Sequence, residues 1–207
     1  MKWHPHFSRT NFRHQDGIAL VFVLIMISIV FVVAAVSSRL VVLGERAARN
    51  DRDRQTAFQS AEAALADAEV DIMGPNSATN ERVSMFGKSG ADPGCSAGTA
   101  TRGFCGSGLD QFAYKTIFSN NDAATRQYVT YGEFTDREDQ FPVSSTGALP
   151  VKLPRYIIEK AKLDFRNRGL AGKSLDAFVI TAVGYGIQAD TEVVLQAVIS
   201  KPVATND

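Results

Sequence analysis

The longest apolar run of the chain covers residues 18–36 and reads IALVFVLIMISIVFVVAAV. Its nineteen residues carry no charge, and Ser28 is the only polar side chain among them. As a helix rising about 1.5 Å per residue, the run spans about 28 Å, close to the roughly 30 Å hydrocarbon core of a bilayer. The pattern therefore predicts a membrane-inserted helix. The alternative is a cleaved secretory signal with an unusually long apolar region, cut near residues 34–37.

The helical pattern continues past this run, because residues 37–73 contain no proline and Gly44 is their only glycine. Apolar residues recur there at steps of three and four, which predicts an amphipathic helix; they are Leu40, Leu43, Ala47, Ala57, Phe58, Ala61, Ala64, Leu65, Ala68 and Ile72. Gly74 and Pro75 form a stop signal. We therefore expect one helix over residues 18–73, about 84 Å long, whose second half packs against a globular partner.

The remainder of the chain has the pattern of a β-rich domain. Residues 74–125 are rich in Gly, Ser, Asn and Asp and predict a long connection with short elements. Strand-like runs of β-branched and aromatic residues follow, at residues 127–134, 155–163, 177–184 and 192–200. The last two are predicted to form a hairpin. The expected fold class is α+β, with the long helix packed on a roughly four-stranded antiparallel sheet.

Composition and charge narrow the possible functions. The chain has 207 residues and a formal net charge of zero, which gives no support to nucleic-acid binding, because that function needs a basic face. All three histidines lie in residues 1–17. The rest of the chain therefore cannot form a histidine-based catalytic triad or a histidine metal site. It also has no G-x-x-x-x-G-K-[ST] phosphate loop. We expect a structural protein without a cofactor, not an enzyme.

The acidic segment with Asp136, Glu138 and Asp139 is the one weak candidate for a metal site. Its carboxylates could attract Ca²⁺, but the segment lacks the spacing and the glycine of a calcium-binding loop. A solvated acidic turn is the favoured interpretation.

Charges on both sides of the apolar run leave its orientation open. Three basic residues precede it and five arginines follow it before residue 56. A bare positive-inside count would place the large domain in the cytoplasm, although long C-terminal domains can cross the membrane largely regardless of charge. The charged segment 44–55 is either a solvated helix surface or a docking surface for neighbouring subunits.

The cysteines favour the opposite orientation. Cys95 and Cys105 are the only two, and they lie ten residues apart in a glycine-rich segment. This spacing suits a local disulfide in an oxidising compartment, which would contribute about 3 kcal/mol to stability in the chain-entropy model. Two unpaired thiols are the alternative.

Two parts of the sequence resemble a known family. The block over residues 15–69 combines a glycine before the apolar run, an RN-x-x-DR element at Arg49, Asn50, Asp53 and Arg54, and an AFQSAEAAL segment. It resembles the N-terminal domain of the PilX family of minor pilins, which are type IV pilin-like proteins. The stretch ITAVGYGIQADTEVVLQAVIS resembles the closing hairpin of the same family.

The resemblance implies a maturation pathway. Prepilin peptidase would cut between Gly17 and Ile18 and methylate the new amine of Ile18. Residues 1–17 would then be a cytoplasmic leader, residues 18–36 a transmembrane helix within the long helix 18–73, and residues 74–207 a periplasmic globular domain. The leader is long for a pilin.

Phe22 departs from the family pattern, because pilins usually carry Glu at the fifth mature position. In pilins that carboxylate is thought to neutralise the terminal amine of the subunit above. A subunit without it suits the pilus tip, where no subunit lies above. The alternative is that Phe22 reflects relaxed selection in a low-copy subunit.

The resemblance therefore implies a minor pilin that primes pilus assembly and lies at the tip. Its partners would be other minor pilins, the major pilin, prepilin peptidase and the inner membrane, with a tip adhesin as a further candidate; no nucleic acid is expected. The location would be the inner membrane and then the extracellular pilus. A minor pseudopilin of type II secretion and a signal-anchored periplasmic enzyme or binding protein are the alternatives.

Overall fold

The computed structural model describes residues 16–74, 82–86, 95–164 and 174–200. The chain divides into two compact units, Met1–Arg49 and Asn50–Asp207. The element order is α1 (Asp16–Met73), α2 (Arg82–Met85), β1 (Phe104–Cys105), α3 (Gln111–Ser119), β2 (Val129–Thr130), a 3-10 turn (Glu138–Gln140), β3 (Arg155–Asp164), β4 (Ser174–Tyr185) and β5 (Glu192–Ser200). The predicted leader 1–17 lies almost wholly outside the described residues.

The long helix is confirmed. It ends at Met73 as predicted, and the amide of Gly74 closes the last turn by donating to the Val70 carbonyl at 2.7 Å. Residues 17–49 of the helix, in the first unit, are exposed on all sides. In the second unit, the face with Ala57, Ala61, Ala64 and Ala68 is fully buried.

The α+β fold is confirmed, and the sheet is mixed. β3, β4 and β5 form an antiparallel meander, in which β3 pairs with β4 from Arg155↔Val183 to Asp164↔Ser174 and β4 with β5 from Ala177↔Ser200 to Tyr185↔Glu192. The predicted hairpin of the last two strands is therefore confirmed. On the other side of β3, the short strand β1 pairs in parallel and β2 pairs antiparallel. The parallel strand β1 was not predicted.

The predicted strand over residues 127–134 is wrong in its extent. Only Val129 and Thr130 pair with β3. Gly132 then adopts a left-handed φ of 81°, and its carbonyl accepts from the Asp136 amide at 2.9 Å. A side chain at position 132 would overlap the Glu138 backbone, so a tight turn replaces the second half of the strand.

Helix α3 lies in the segment that the sequence predicted as a connection. It begins after Asp110, whose carboxylate accepts from the Ala113 amide at 2.7 Å and caps the helix. This nine-residue helix contributes Ile117 and Phe118 to the core.

Side chains alternate between the two faces of the sheet and form two cores. The first core lies on the face that α1 covers and contains Ala64, Ala68, Ile72, Phe86, Phe104, Val129, Tyr156, Ile158, Phe178, Ile180 and Ala182. The second core lies on the opposite face and contains the cysteine pair with Ile117, Phe118, Tyr128, Ile157, Val183 and Tyr185. The sheet is therefore covered by α1 on one face and partly by α3 on the other.

Gly184 of β4 lets α1 approach the sheet closely. A Cβ atom at this position would overlap the backbone oxygen of Ala57 and the backbone nitrogen of Ala61. Only glycine on the strand and alanine on the helix allow this separation, so helix and strand are fitted at the level of the backbone.

Candidate functional site

The N-terminal stretch of α1 is the first candidate surface. Among the described residues, the chain has one helix long and apolar enough to cross a membrane, Gly17–Met73, and none of its most apolar window is buried within the protein. Ile18 and Phe22 are 66% and 63% exposed. The surroundings that such a surface matches are lipid chains or other apolar helices.

The predicted cleavage position lies at the start of this helix. Gly17 and Ile18 are in the first turn of α1, and a Cβ atom at Gly17 would meet no other atom within 4 Å. The Gly17–Ile18 bond is thus exposed. Phe22 lies about one turn further on and is exposed, at the position where the resemblance described above implies a carboxylate.

Three buried aspartates on the second stretch of α1 form the second candidate region, and the sequence analysis missed them. Asp53, Asp67 and Asp71 are 6%, 0% and 0% exposed. Asp53 and Asp67 are fourteen residues apart, close to four helical turns, and Asp67 and Asp71 are four residues apart, close to one turn. The three carboxylates therefore share one face of the helix with the alanines. The helical spacing in the sequence could have revealed this position. Asp53 lies four residues before Ala57, and Asp71 lies three residues after Ala68.

Asp53 binds the loop between β4 and β5. Its carboxylate accepts from the amides of Ile187 and Gln188 at 2.5 and 3.2 Å and from the Thr191 hydroxyl at 2.5 Å. A side chain at Gly186 would overlap the same carboxylate. The Asp53 carboxylate therefore binds neutral donors in the loop of the predicted closing hairpin. It is not part of a solvated helix surface.

Asp67 binds the turn that follows β2. It accepts from the Gly132 amide at 2.8 Å and from the Thr135 hydroxyl at 2.5 Å, and Arg137 lies 4.0 Å away. Burial raises the pKa of Asp67, and these hydrogen bonds and the arginine act in the opposite direction. This contact fixes the turn that truncates the predicted strand.

Asp71 belongs to a buried ion pair. Its Oδ1 lies 3.2 Å from Nε of Arg82, and its Oδ2 accepts from the Tyr156 hydroxyl at 3.1 Å. Burial raises the pKa of Asp71 to about 6, against the opposing effect of Arg82. The Arg82 guanidinium also lies 3.8 Å from the ring centre of Phe134. Together these groups join α1, α2 and β3.

The cysteines lie on the opposite face of the sheet, where the structure pairs them as a disulfide between Cys95 and Cys105. Both are buried. The Gly103 carbonyl accepts from the Ile158 amide at 2.8 Å, and Gln127 donates to the Cys95 carbonyl at 2.8 Å. The bridged segment is thereby fixed to the edge of β3.

Glu159 holds the next segment on this face. It is buried, and its carboxylate accepts from the amides of Gly108 and Leu109 at 3.2 and 3.0 Å and from the Tyr114 hydroxyl at 2.5 Å. The carboxylate thus positions both the loop before α3 and α3 itself. All three donors belong to this chain, so the role of the Glu159 carboxylate is structural.

The acidic turn lies on the surface of the described part of the chain. Asp136, Glu138 and Asp139 are exposed around the 3-10 turn. No group of three His, Cys, Asp or Glu side chains among the described residues is placed to hold a metal ion.

Two family models match the chain. One is described as PilX N-terminal and matches residues 16–66, within α1. The other is described as type IV pilus assembly protein PilX C-term and matches residues 90–201, which include all five strands. No curated protein and no solved structure matches the chain. The two matches cover the two regions that carried the resemblance in the sequence.

Proposed function

Because this chain belongs to the PilX family of type IV pilus assembly proteins and is thus a minor pilin, we propose that it primes pilus assembly and occupies the pilus tip. The family is a structural and assembly family, not an enzyme family. In the proposed pathway the protein is anchored in the inner membrane by one helix with its domain in the periplasm. It then moves into the pilus with other minor pilins and the major pilin, and a tip adhesin is a further partner.

The periplasmic orientation is supported by the disulfide. Cys95 and Cys105 are paired, and disulfides persist in oxidising compartments such as the periplasm. The exposed apolar stretch of α1 supports membrane anchoring before assembly.

The first prediction concerns maturation. We expect prepilin peptidase to cut between Gly17 and Ile18, because the chain changes there from a polar leader to the apolar run. N-terminal sequencing and intact mass of the membrane-purified protein should give a mature chain that begins at Ile18 and carries one added methyl group. A mature start near Ser37 would instead identify an ordinary secretory signal.

The tip location rests on Phe22. A charge within lipid is costly unless it is paired. A subunit with a fifth-position carboxylate is therefore stabilised at a place in the pilus where the terminal amine of another subunit lies above it. Phe22 offers no such partner, while the Ile18 amine can still receive the carboxylate of the next subunit. Such a subunit can bind the next subunit, which is added below it, but it has no carboxylate with which to bind the terminal amine of a subunit above it.

The second prediction tests this location with Phe22→Glu. The new charge should cost about 2.5 kcal/mol or less before assembly, because the position is near the end of the apolar run. At the tip it gains no partner, so we expect the variant to enter pili no better than the wild type. The measurement is the amount of this protein in sheared pili relative to the major pilin.

Val23→Glu is the matched control, because Val23 is a neighbour of similar exposure, 56% against 63%. It introduces the same charge at nearly the same depth but not at the fifth mature position. Increased incorporation of Phe22→Glu along the shaft, without an increase for Val23→Glu, would place the protein among ordinary shaft subunits and contradict the tip assignment.

A further inference from the structure

The outer edge of β5 is unpaired among the described residues. All nine residues of β5 pair with β4 in one continuous register. The sheet order ends at β5, and no described strand lies beyond it. One row of backbone amides and carbonyls of β5 therefore points away from the sheet.

Within residues 193–200 this edge lacks the features by which soluble proteins prevent strand addition, and Lys201 and Pro202 come only after the last residue of β5. Such edges usually carry lysine, proline, a bulge or an inward-pointing charge. Residues 193–200 contain no charged residue and no proline, and their pairing with β4 has no bulge. The only charge of β5 is Glu192, at its first residue.

Exposed apolar side chains accompany the open edge. Val194 and Val198 are 57% and 59% exposed and point to the face opposite α1. Gln196 lies between them and donates to the Thr181 hydroxyl at 3.1 Å. Two exposed valines on one face of an open edge strand form an apolar surface that an added strand would cover.

A groove of about 550 Å³ adjoins this surface, between α3 and β5. Its apolar lining includes Phe118, Val183 and Val194, and its polar lining includes the exposed Lys115 and Glu192. Side chains of a strand added at β5 could enter the groove. Lys115 would favour an acidic residue of the added strand, and Glu192 would favour a basic one.

We propose that the outer edge of β5 accepts an extended segment of a different protein chain as an additional strand. The segment has apolar side chains at alternate positions, which cover Val194 and Val198. It carries an acidic residue for Lys115 and a basic residue for Glu192. Its main-chain groups pair with β5, and the groove receives its alternate side chains.

A second copy of this chain offers no acidic partner for Lys115 at this edge. Antiparallel pairing of two β5 strands in a continuous sheet requires a two-fold axis perpendicular to the sheet. When the two strands overlap fully, the Glu192 end of one β5, which lies beside Lys115, meets the Ser200 end of the other. Residues 193–200 carry no acidic side chain. The proposal does not depend on tip location.

The test is peptide binding to the full chain in detergent micelles. The probe is a fluorescent nine-residue peptide of alternating valine and threonine in which a lysine and an aspartate lie two residues apart at one end, so that both can reach the groove. A peptide of the same length with proline at alternate positions is the control probe, because it cannot pair as a strand. We expect binding of the first peptide, with increased protection of β5 amides from hydrogen exchange, and at least tenfold weaker binding of the second.

Val198→Lys places a charge on the edge and should weaken binding at least tenfold, as should Val194→Lys. Val143→Lys is the matched control, because Val143 is an exposed valine outside the sheet. The affinity of this variant for the first peptide should equal that of the wild type. Equal binding of the two peptides, no binding, or unchanged affinity of both β5 variants when they are folded by circular dichroism would overturn the proposal. A dimer of the full chain that Val198→Lys dissociates would also overturn it, by assigning the edge to a second copy.

Discussion

The two stretches of α1 have opposite chemistry. The stretch in the first unit exposes large apolar side chains, such as Phe22 and Phe31, on all sides. The stretch in the second unit buries mostly small and charged side chains, among them four alanines and three aspartates. Hydrophobicity therefore does not tell which part of this helix is buried within the protein. The first stretch matches an apolar environment, and the second fits one specific domain.

The difference lies in what each stretch can contact. Lipid chains or apolar helices adapt to side chains of many shapes, so the first stretch needs only apolar area. The second stretch meets a rigid sheet, where alanine lets the backbones approach and each carboxylate finds fixed donors in a loop. Buried charges are costly unless they are hydrogen-bonded or paired, so these contacts specify one arrangement of helix and loops.

The largest expected effect comes from removing the space between helix and sheet. Gly184→Ala places a methyl group against the backbone of Ala57 and Ala61. We expect the free energy of unfolding to fall by about 3 kcal/mol, the upper part of the usual range for overpacking. Urea unfolding of the full chain in detergent micelles, followed by circular dichroism, measures the change.

Gly44→Ala is the control in the first stretch, where an added Cβ atom would have no neighbour within 4 Å. It should leave the unfolding of the domain unchanged. Equal effects of the two substitutions would mean that backbone approach does not distinguish the two stretches.

A smaller effect is expected at Asp53, whose carboxylate serves three donors. Asp53→Ala leaves the amides of Ile187 and Gln188 without this acceptor and should lower the free energy of unfolding by about 2 kcal/mol. Asp51→Ala, two residues earlier on the exposed side of the helix, should change it little. The same urea measurement compares them, and similar losses would contradict the role of the buried carboxylate.

The smallest predicted effect is a pH dependence at Asp71, where burial raises the pKa from 3.8 to about 6. The folded protein thus holds this proton more tightly than the unfolded chain. The resulting stability is fully present below about pH 3.8 and is lost as the pH rises through about 6. We expect the stability advantage of the wild type over Asp71→Asn to be about 1 kcal/mol greater near pH 5 than near pH 7.5.

Urea unfolding of both proteins at the two pH values gives this difference, and titrating groups distant from Asp71 cancel in the comparison. An advantage that grows toward pH 7.5 would mean that the attraction of Arg82 outweighs burial, and that the carboxyl group is preferentially ionised in the folded state.

Much of the fold follows from sequence periodicity. The end of α1 at Met73 and the meander of β3, β4 and β5 were predictable, because long runs of regular pattern identify elements well. The short strands β1 and β2 were not, since two residues carry no period. Their pairing depends on contacts distant in sequence, such as Gly103 with Ile158.

The candidate site was predictable only in part. The exposed positions of Ile18 and Phe22 follow from the apolar run, and the pairing of Cys95 with Cys105 follows from their spacing. The buried aspartates were missed because acidic residues in a charged helix are usually solvated. Their position on the alanine face is visible in the sequence, but the donors in distant loops are not.

The contacts of the buried aspartates also bear on the order in which the chain can fold. Asp53 binds Ile187, which is 134 residues later in the chain, and Asp67 binds Gly132, which is 65 residues later. Contacts of such long sequence separation form slowly, because a large loop must close first. The α1 stretch that carries Asp53 is synthesised before the hairpin of β4 and β5, and it therefore waits for that hairpin before its docking is complete.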